Sequence, residues 1–170
     1  RKDPSITNEI RRSLLKKYAA VTSGMERWSH LLQAINLLPD NSADGNAELA
    51  SLGEELTAAR NPEAVATLAA QAKAVTHQRA LRFVEANVTP DSAAAQKMYW
   101  QLHEEGYLFR EQSALVCDRF IEAKHPERAV VILEALVRNR QLLNKQERRT
   151  LARAYAGMNL PLDAQRAVSE

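Results

Sequence analysis

The chain has 170 residues, a net charge of +2, five glycines and 5% aromatic residues, enough for one compact domain or roughly four to five helical hairpins. Scarce glycine and few aromatics argue against a β-sandwich or a glycine-rich cofactor fold, and the near-balanced charge demands no polyanionic partner. A single cysteine, Cys117, excludes an intramolecular disulfide.

Arg1–Ser5 reads as a lead-in. Ile6, Ile10, Leu14, Tyr18 and Val21 recur at helical spacing and predict a first amphipathic helix over 6–22. Ser23-Gly-Met-Glu26 has the form of a capping box. It opens a helix over 24–38 whose apolar stripe is Met25, Trp28, Leu31, Leu32, Ile35 and Leu38, stopped by Pro39. Asp40–Gly45 is polar and rich in turn formers, and reads as a mobile loop. A third helix over 47–60 follows, with Leu49, Leu52 and Leu56 inward.

Asn61-Pro62-Glu63 places an N-cap before a proline at the first helical position. Thr89-Pro90-Asp91 and His125-Pro126-Glu127 take the same form, and each sets an acid at the positive end of the next helix. Asn144-Lys-Gln-Glu147 is another capping box. The remaining helices are predicted over 62–74, 76–87, 91–105, 109–124, 126–139, 144–157 and 161–170, with short connections that make neighbours antiparallel. The fold class expected is all-α. No apolar run approaches the ~20 residues needed to cross a bilayer, and residues 1–20 are too charged for a signal peptide. Opening without methionine and closing within a helix, the sequence reads as a segment of a longer protein.

From Val116 to Val168 one pattern occurs twice. Cys117, Phe120, Pro126 and Ala129 are followed by Ala152, Tyr155, Pro161 and Ala164, each 35 residues later. Arg82-Phe-Val-Glu-Ala86 with Pro90 is an earlier copy of Arg119-Phe-Ile-Glu-Ala123 with Pro126. A period of this size signals stacked supersecondary units. The small residue lets two helices approach closely and the aromatic fills the space between units; Cys117 is therefore expected as a packed thiol, not a nucleophile. Phe120 and Tyr155 are expected to be buried at equivalent places. The spacing resembles the tetratricopeptide repeat over residues 73–170, although the family's Trp-x-x-Leu-Gly-x-x-Tyr opening is missing and the prolines fall inside the hairpin turns. The resemblance implies antiparallel hairpins stacked as a right-handed α-solenoid over 46–170, with a hairpin and loop over 1–45 that either precedes it or is continuous with it.

Chemistry-bearing constellations are sparse. His30, His77, His103 and His125 lie far apart, none in an HExxH. His103-Glu-Glu105 reads as a solvated helix end. There is no phosphate loop and no GxSxG, so no catalytic residue, metal site or cofactor is expected. Charge is more informative. Arg138, Arg140, Lys145, Arg148, Arg149 and Arg153 face only Glu147 within 138–153, and Arg11, Arg12, Lys16 and Lys17 form a second basic cluster. Asp40, Asp44, Glu48, Glu54, Glu55 and Glu63 stand against Arg60 alone in 40–63.

In tetratricopeptide arrays the first helix of each hairpin lines the partner groove. The resemblance carries that role to Glu111, Asp118 and Glu122, then to Gln146, Arg149 and Arg153, with His77 and Glu85 as the preceding equivalents. Tyr99-Trp100 and Tyr107-Leu-Phe109 are expected in inter-repeat core. The function implied is a scaffold that binds another protein or peptide of mixed charge, as in bacterial envelope, secretion or exopolysaccharide-export assemblies. Two alternatives are a nucleic-acid-binding repeat protein using the 138–153 cluster and a docking domain of an enzyme whose catalytic part lies elsewhere.

Overall fold

The computed structural model describes residues 4–107, 110–139 and 141–169, with side chains from Thr7 onward and, in the second stretch, from Gln112. Ile6, Phe109, Glu111 and Arg140, which enter the reading above, have side chains outside that description. The described residues form α-helices and no strand: α1 (Pro4–Val21), α2 (Gly24–Ile35), α3 (Ala43–Ala59), α4 (Pro62–Gln71), α5 (Val75–Val88), α6 (Ser92–Glu104), α7 (Arg110–Glu122), α8 (Pro126–Arg138), α9 (Lys145–Gly157) and α10 (Pro161–Ser169). They fall into two compact units, Arg1–Met98 and Tyr99–Glu170, divided within α6. The 40–45 turn lies inside the first unit.

In the first unit α1 packs on α2, α2 on α3 and α4, and both α3 and α4 on α5. Leu32, Ile35, Leu49, Leu52, Leu56, Val65, Leu68 and Leu81 form its core, with Trp28 and Val84 at the edge. These are the apolar positions at spacing three and four on α2 to α5, so burial follows the sequence stripe. Buried Gly53 lets α3 approach α5: a Cβ there would sit 3.3 Å from Val84 Cγ2. Ion pairs bind the outer helices together. Arg27 of α2 holds Glu55 of α3 through two bonds of 2.8 and 3.0 Å and donates to Ala19 O of α1 at 2.7 Å. Arg12 and Lys16 of α1 both reach Glu48 of α3.

The amphipathic α1 forms as expected, with Ile10, Leu14, Tyr18 and Val21 58%, 48%, 57% and 81% exposed, because it docks through Ala19 and the side carrying Arg12 and Lys16. Three local expectations are corrected by the structure. Asp40–Gly45 is not a free loop: Ser42 Oγ accepts from Gly45 N, so the capping bond starts α3 four residues early. Ser23 makes no side-chain capping bond. The cap of α6 is Asp91, whose carboxylate accepts from Ala93 N at 2.9 Å, so Pro90 precedes the cap and does not follow one. Asn61 and Asn144 cap as expected, the latter in a reciprocal box with Glu147.

In the second unit α7 and α8 form a hairpin, α9 packs on both, and α10 packs on α9. Val116, Cys117, Phe120, Ala129, Ile132, Leu133, Leu151 and Ala154 are buried between them. Cys117 Sγ lies 3.7 Å from Ala129 O, where the two small residues let the helices close. The turns repeat as well as the helices. His125 N donates to Phe120 O at 2.8 Å around Lys124 at φ 66°, and Leu160 N donates to Tyr155 O at 2.9 Å around Asn159 at φ 59°. Both are six-to-one closures about a left-handed residue, and they stand 35 residues apart.

The side chains at the repeat's aromatic position do not behave alike. Phe120 is fully buried, edge-on to Trp100 with centroids 6.2 Å apart. Tyr155 is only half-buried, which corrects the expectation that the two are equivalent. Its hydroxyl reaches the edge of the packing and donates to Glu134 Oε1 at 2.6 Å. The tilt of a phenol toward a polar partner leaves the ring flank open. Tyr99 and Tyr107 are buried as expected; Trp100 is partly covered, its indole N–H on Glu104 Oε1 at 2.8 Å. In the first unit α5 pairs with α4 and α3, and Phe83 is only partly buried.

Candidate functional site

The faces to consider are those of α7 and α9, which touch each other across α8's hairpin. Asp118, one turn before the end of α7, accepts from Arg153 Nη1 at 3.0 Å and from Thr150 Oγ1 at 3.2 Å. Thr150 is fully buried, and the Asp118 and Arg153 side chains are 29% and 54% exposed. An ion pair this open is worth about 0–1 kcal/mol, so a partner's charges can exchange with it at low cost. Glu122, Gln146 and Arg149 are exposed. Neither Glu122 nor Arg149 has an ion-pair partner among the described residues. Of the residues carried over by the resemblance, Asp118 and Arg153 are thus bonded to each other, and Glu122, Gln146 and Arg149 are open to solvent. Glu111, the sixth candidate, lies outside the described side chains.

The 138–153 cluster is not one patch. Gln146, Arg149, Thr150 and Arg153 fall on one side of α9 by helical spacing. Arg148, Leu151 and Tyr155 fall on the other, and line a cleft of about 590 Å³ with Arg138 and Glu134 of α8 and Arg166 of α10. Tyr155 binds Glu134 at its wall, and burial together with Glu134 and Asp163 pushes the phenol up to about 12. Leu142 is 89% exposed at its mouth. Sequence reasoning missed this cleft; its one signal was an apolar pair, Leu142-Leu143, set inside a basic stretch.

The two other charge clusters meet at one acid, Glu48, and a second acid of the 40–63 segment is taken up by Arg27 of α2. Glu48 and Glu55 of the acidic 40–63 segment meet Arg12, Lys16 and Arg27 within the first unit. Arg27 holds the Glu55 carboxyl below the usual range, and Glu55 raises the guanidinium in turn.

The histidines are dispersed. His77 is 2% exposed, with no hydrogen-bond partner on either ring nitrogen among the described residues, so it does not line an open groove as its repeat position implied. Glu85, its companion, is partly buried, which pushes its carboxyl up. His103 is partly covered, its ring 5.3 Å from that of Trp100, and burial lowers its affinity for a proton; it is not the freely solvated group expected. His125 is exposed with Nδ1 3.1 Å from Glu127. Among the described residues no group of three His, Cys, Asp or Glu is placed to hold a metal ion, and no helix is long and apolar enough to cross a membrane. Cys117 is buried beside Asp118 and Glu147, and its thiol is pushed far up, chiefly by desolvation.

Against that geometry, no family model, curated protein or solved structure matches the chain.

Proposed function

We propose that this chain is a protein-binding scaffold of tetratricopeptide-like hairpins, stacked as a right-handed α-solenoid over its later repeats, and not an enzyme. The observation that carries the reading is the recurrence of one structural unit at a fixed offset. Asp118 and Arg153, Phe120 and Tyr155, and the left-handed Lys124 and Asn159 each stand 35 residues apart, and α9 packs against both helices of the preceding hairpin. In such a stack the exposed first-helix residues form a continuous surface, here Glu122, the Asp118–Arg153 pair, Gln146 and Arg149. Glu111 extends the same helix face by sequence.

The occupant that suits it is a peptide or helix of mixed charge, whose cation meets Glu122 and whose carboxylate meets Arg149. Division of the basic residues between two faces of α9 supports a protein over a nucleic acid, which is tracked by a continuous cationic groove. A place in an envelope, secretion or export assembly follows from the resemblance alone.

The test is selection of binding peptides from a displayed random library. Peptides carrying both charge signs, whose affinity falls tenfold or more in the double variant Glu122→Arg/Arg149→Glu, support the scaffold. A steeply salt-dependent affinity for a random oligonucleotide, lost in the same variant, supports the nucleic-acid reading instead.

A further inference from the structure

The helix that binds α2 leaves its most apolar face uncovered. Ile10, Leu14, Tyr18 and Val21 are at least 48% exposed each. At 1.5 Å per residue they run for about 16 Å, three helical turns, along one side of α1. A single exposed leucine is ordinary; a continuous stripe is the mark of a contact surface. Beside the stripe lies a cleft of about 410 Å³ where α1 meets α2 and the turn after α4. Leu14 and Tyr18 form one wall, Gln33 of α2 with Asn36 and Leu37 just past its end the other. That second wall is fixed, since Asn36 donates to Gln71 O at 3.2 Å and accepts from Lys73 N at 3.0 Å.

The charged residues lining this cleft, Arg11 and Lys73, are both cations, and neither pairs with a carboxylate among the described residues. Arg12 and Lys16 point the other way, to Glu48. Shape and charge together define the occupant. We infer that the α1–α2 face docks an amphipathic helix of another protein, roughly three turns long. Its apolar stripe lies on Ile10, Leu14, Tyr18 and Val21, and acidic residues along one edge meet Arg11 and Lys73. This is helix-in-groove recognition with anchors at i, i+4, i+8 and i+11. It occupies a surface separate from the α7–α9 face and stands whether or not that face binds a peptide.

The experiment uses the full chain and two synthetic, fluorescently labelled helical peptides. Both carry a leucine stripe; one is flanked by glutamates and the other by lysines at the same positions. The expected result is binding of the acidic peptide at least tenfold tighter than the basic one. Ile10→Gln/Leu14→Gln should remove binding of both. Arg11→Glu/Lys73→Glu should invert the preference, which simple hydrophobic adhesion cannot do. All four positions tolerate change in the fold because the stripe is exposed and the cations are unpaired, and circular dichroism checks this.

Equal affinity for the two peptides, or no binding of the acidic one, overturns the inference. Binding of vesicles containing phosphatidylglycerol without any peptide preference would show that the face meets an anionic bilayer. Self-association abolished by Ile10→Gln/Leu14→Gln would show that a second copy covers it. Either outcome also overturns the helix partner.

Discussion

Asp118 and Arg153 hold the same place in successive hairpins and bond each other, side chain to side chain, at 3.0 Å. At this pair the period of the sequence is also a contact. That arrangement is what nearest-neighbour stacking predicts, and it sets how the residues around it respond to change.

Phe120→Ala should destabilise the second unit by about 3–5 kcal/mol, the cost of emptying a fully buried aromatic site. Tyr155→Phe, which removes one hydroxyl at a half-buried position, should cost about 1 kcal/mol. Urea titration followed by circular dichroism separates them. Equal losses would mean that the two aromatics do the same job after all.

The pair itself should be energetically minor. Arg153→Ala is expected to lower stability by less than about 1 kcal/mol, since both partners are partly solvated. A larger loss would reveal that Thr150, buried and bonded to the same carboxylate, depends on the guanidinium.

Lys124 offers a gain. A lysine at φ 66° pays the steric cost of the left-handed region, which glycine avoids. Lys124→Gly should raise stability by about 0.5–1 kcal/mol, and Asn159→Gly by less, because asparagine tolerates that conformation. Thermal melts of the two variants test the order.

Acid should act on the first unit through Glu55. Its folded pKa is held below the unfolded value by Arg27. The stabilisation is complete above the unfolded pKa of about 4.3 and is lost as pH falls through the lower, folded value. In Glu55→Gln the loss of stability between pH 5 and acid should be shallower than in the native protein; an unchanged profile would assign the acid response to other carboxylates.

Cys117 should ignore a thiol reagent in the folded protein. Burial raises its pKa, so neither thiolate nor access is provided. Ellman's reagent should react only at the rate of opening, accelerating with urea. Immediate reaction would contradict the packing of α7 on α8.

The helices themselves were legible because each carries its own punctuation. Asn61 before Pro62 and the Asn144–Glu147 box cap helices where the residues say they should. Phe120 and Cys117 were legible as core because a repeat states the same requirement twice. What failed depended on partners distant in sequence. The stripe on α1 has an ideal period, yet periodicity shows only that a face is apolar and not that anything covers it; the docking side was decided by Glu48 and Ala19. Asp40–Gly45 looked like loop because all its residues but Ala43 favour turns, whereas the Ser42 hydroxyl caps a helix that takes in part of it. The cleft at Tyr155 draws on α8, α9 and α10, and no window of sequence contains it. The charge clusters were visible, but that Glu48 and Glu55 would be consumed internally requires knowing that α3 lies beside α1 and α2.

The absence of any buried residue on α10 has a kinetic corollary. A helix held by partly covered contacts with one neighbour can detach without dismantling a core. Its amide protons should exchange with deuterium fastest among the helices of the second unit, ahead of α8, whose inner face is fully covered. Since Arg166 and Asp163 form one wall of the cleft at Tyr155, that cavity is then a transient one, its lifetime set by how often the last hairpin breathes. A small molecule lodged there would act as a clasp, and would announce itself by slowing exchange along α10 before changing any other signal.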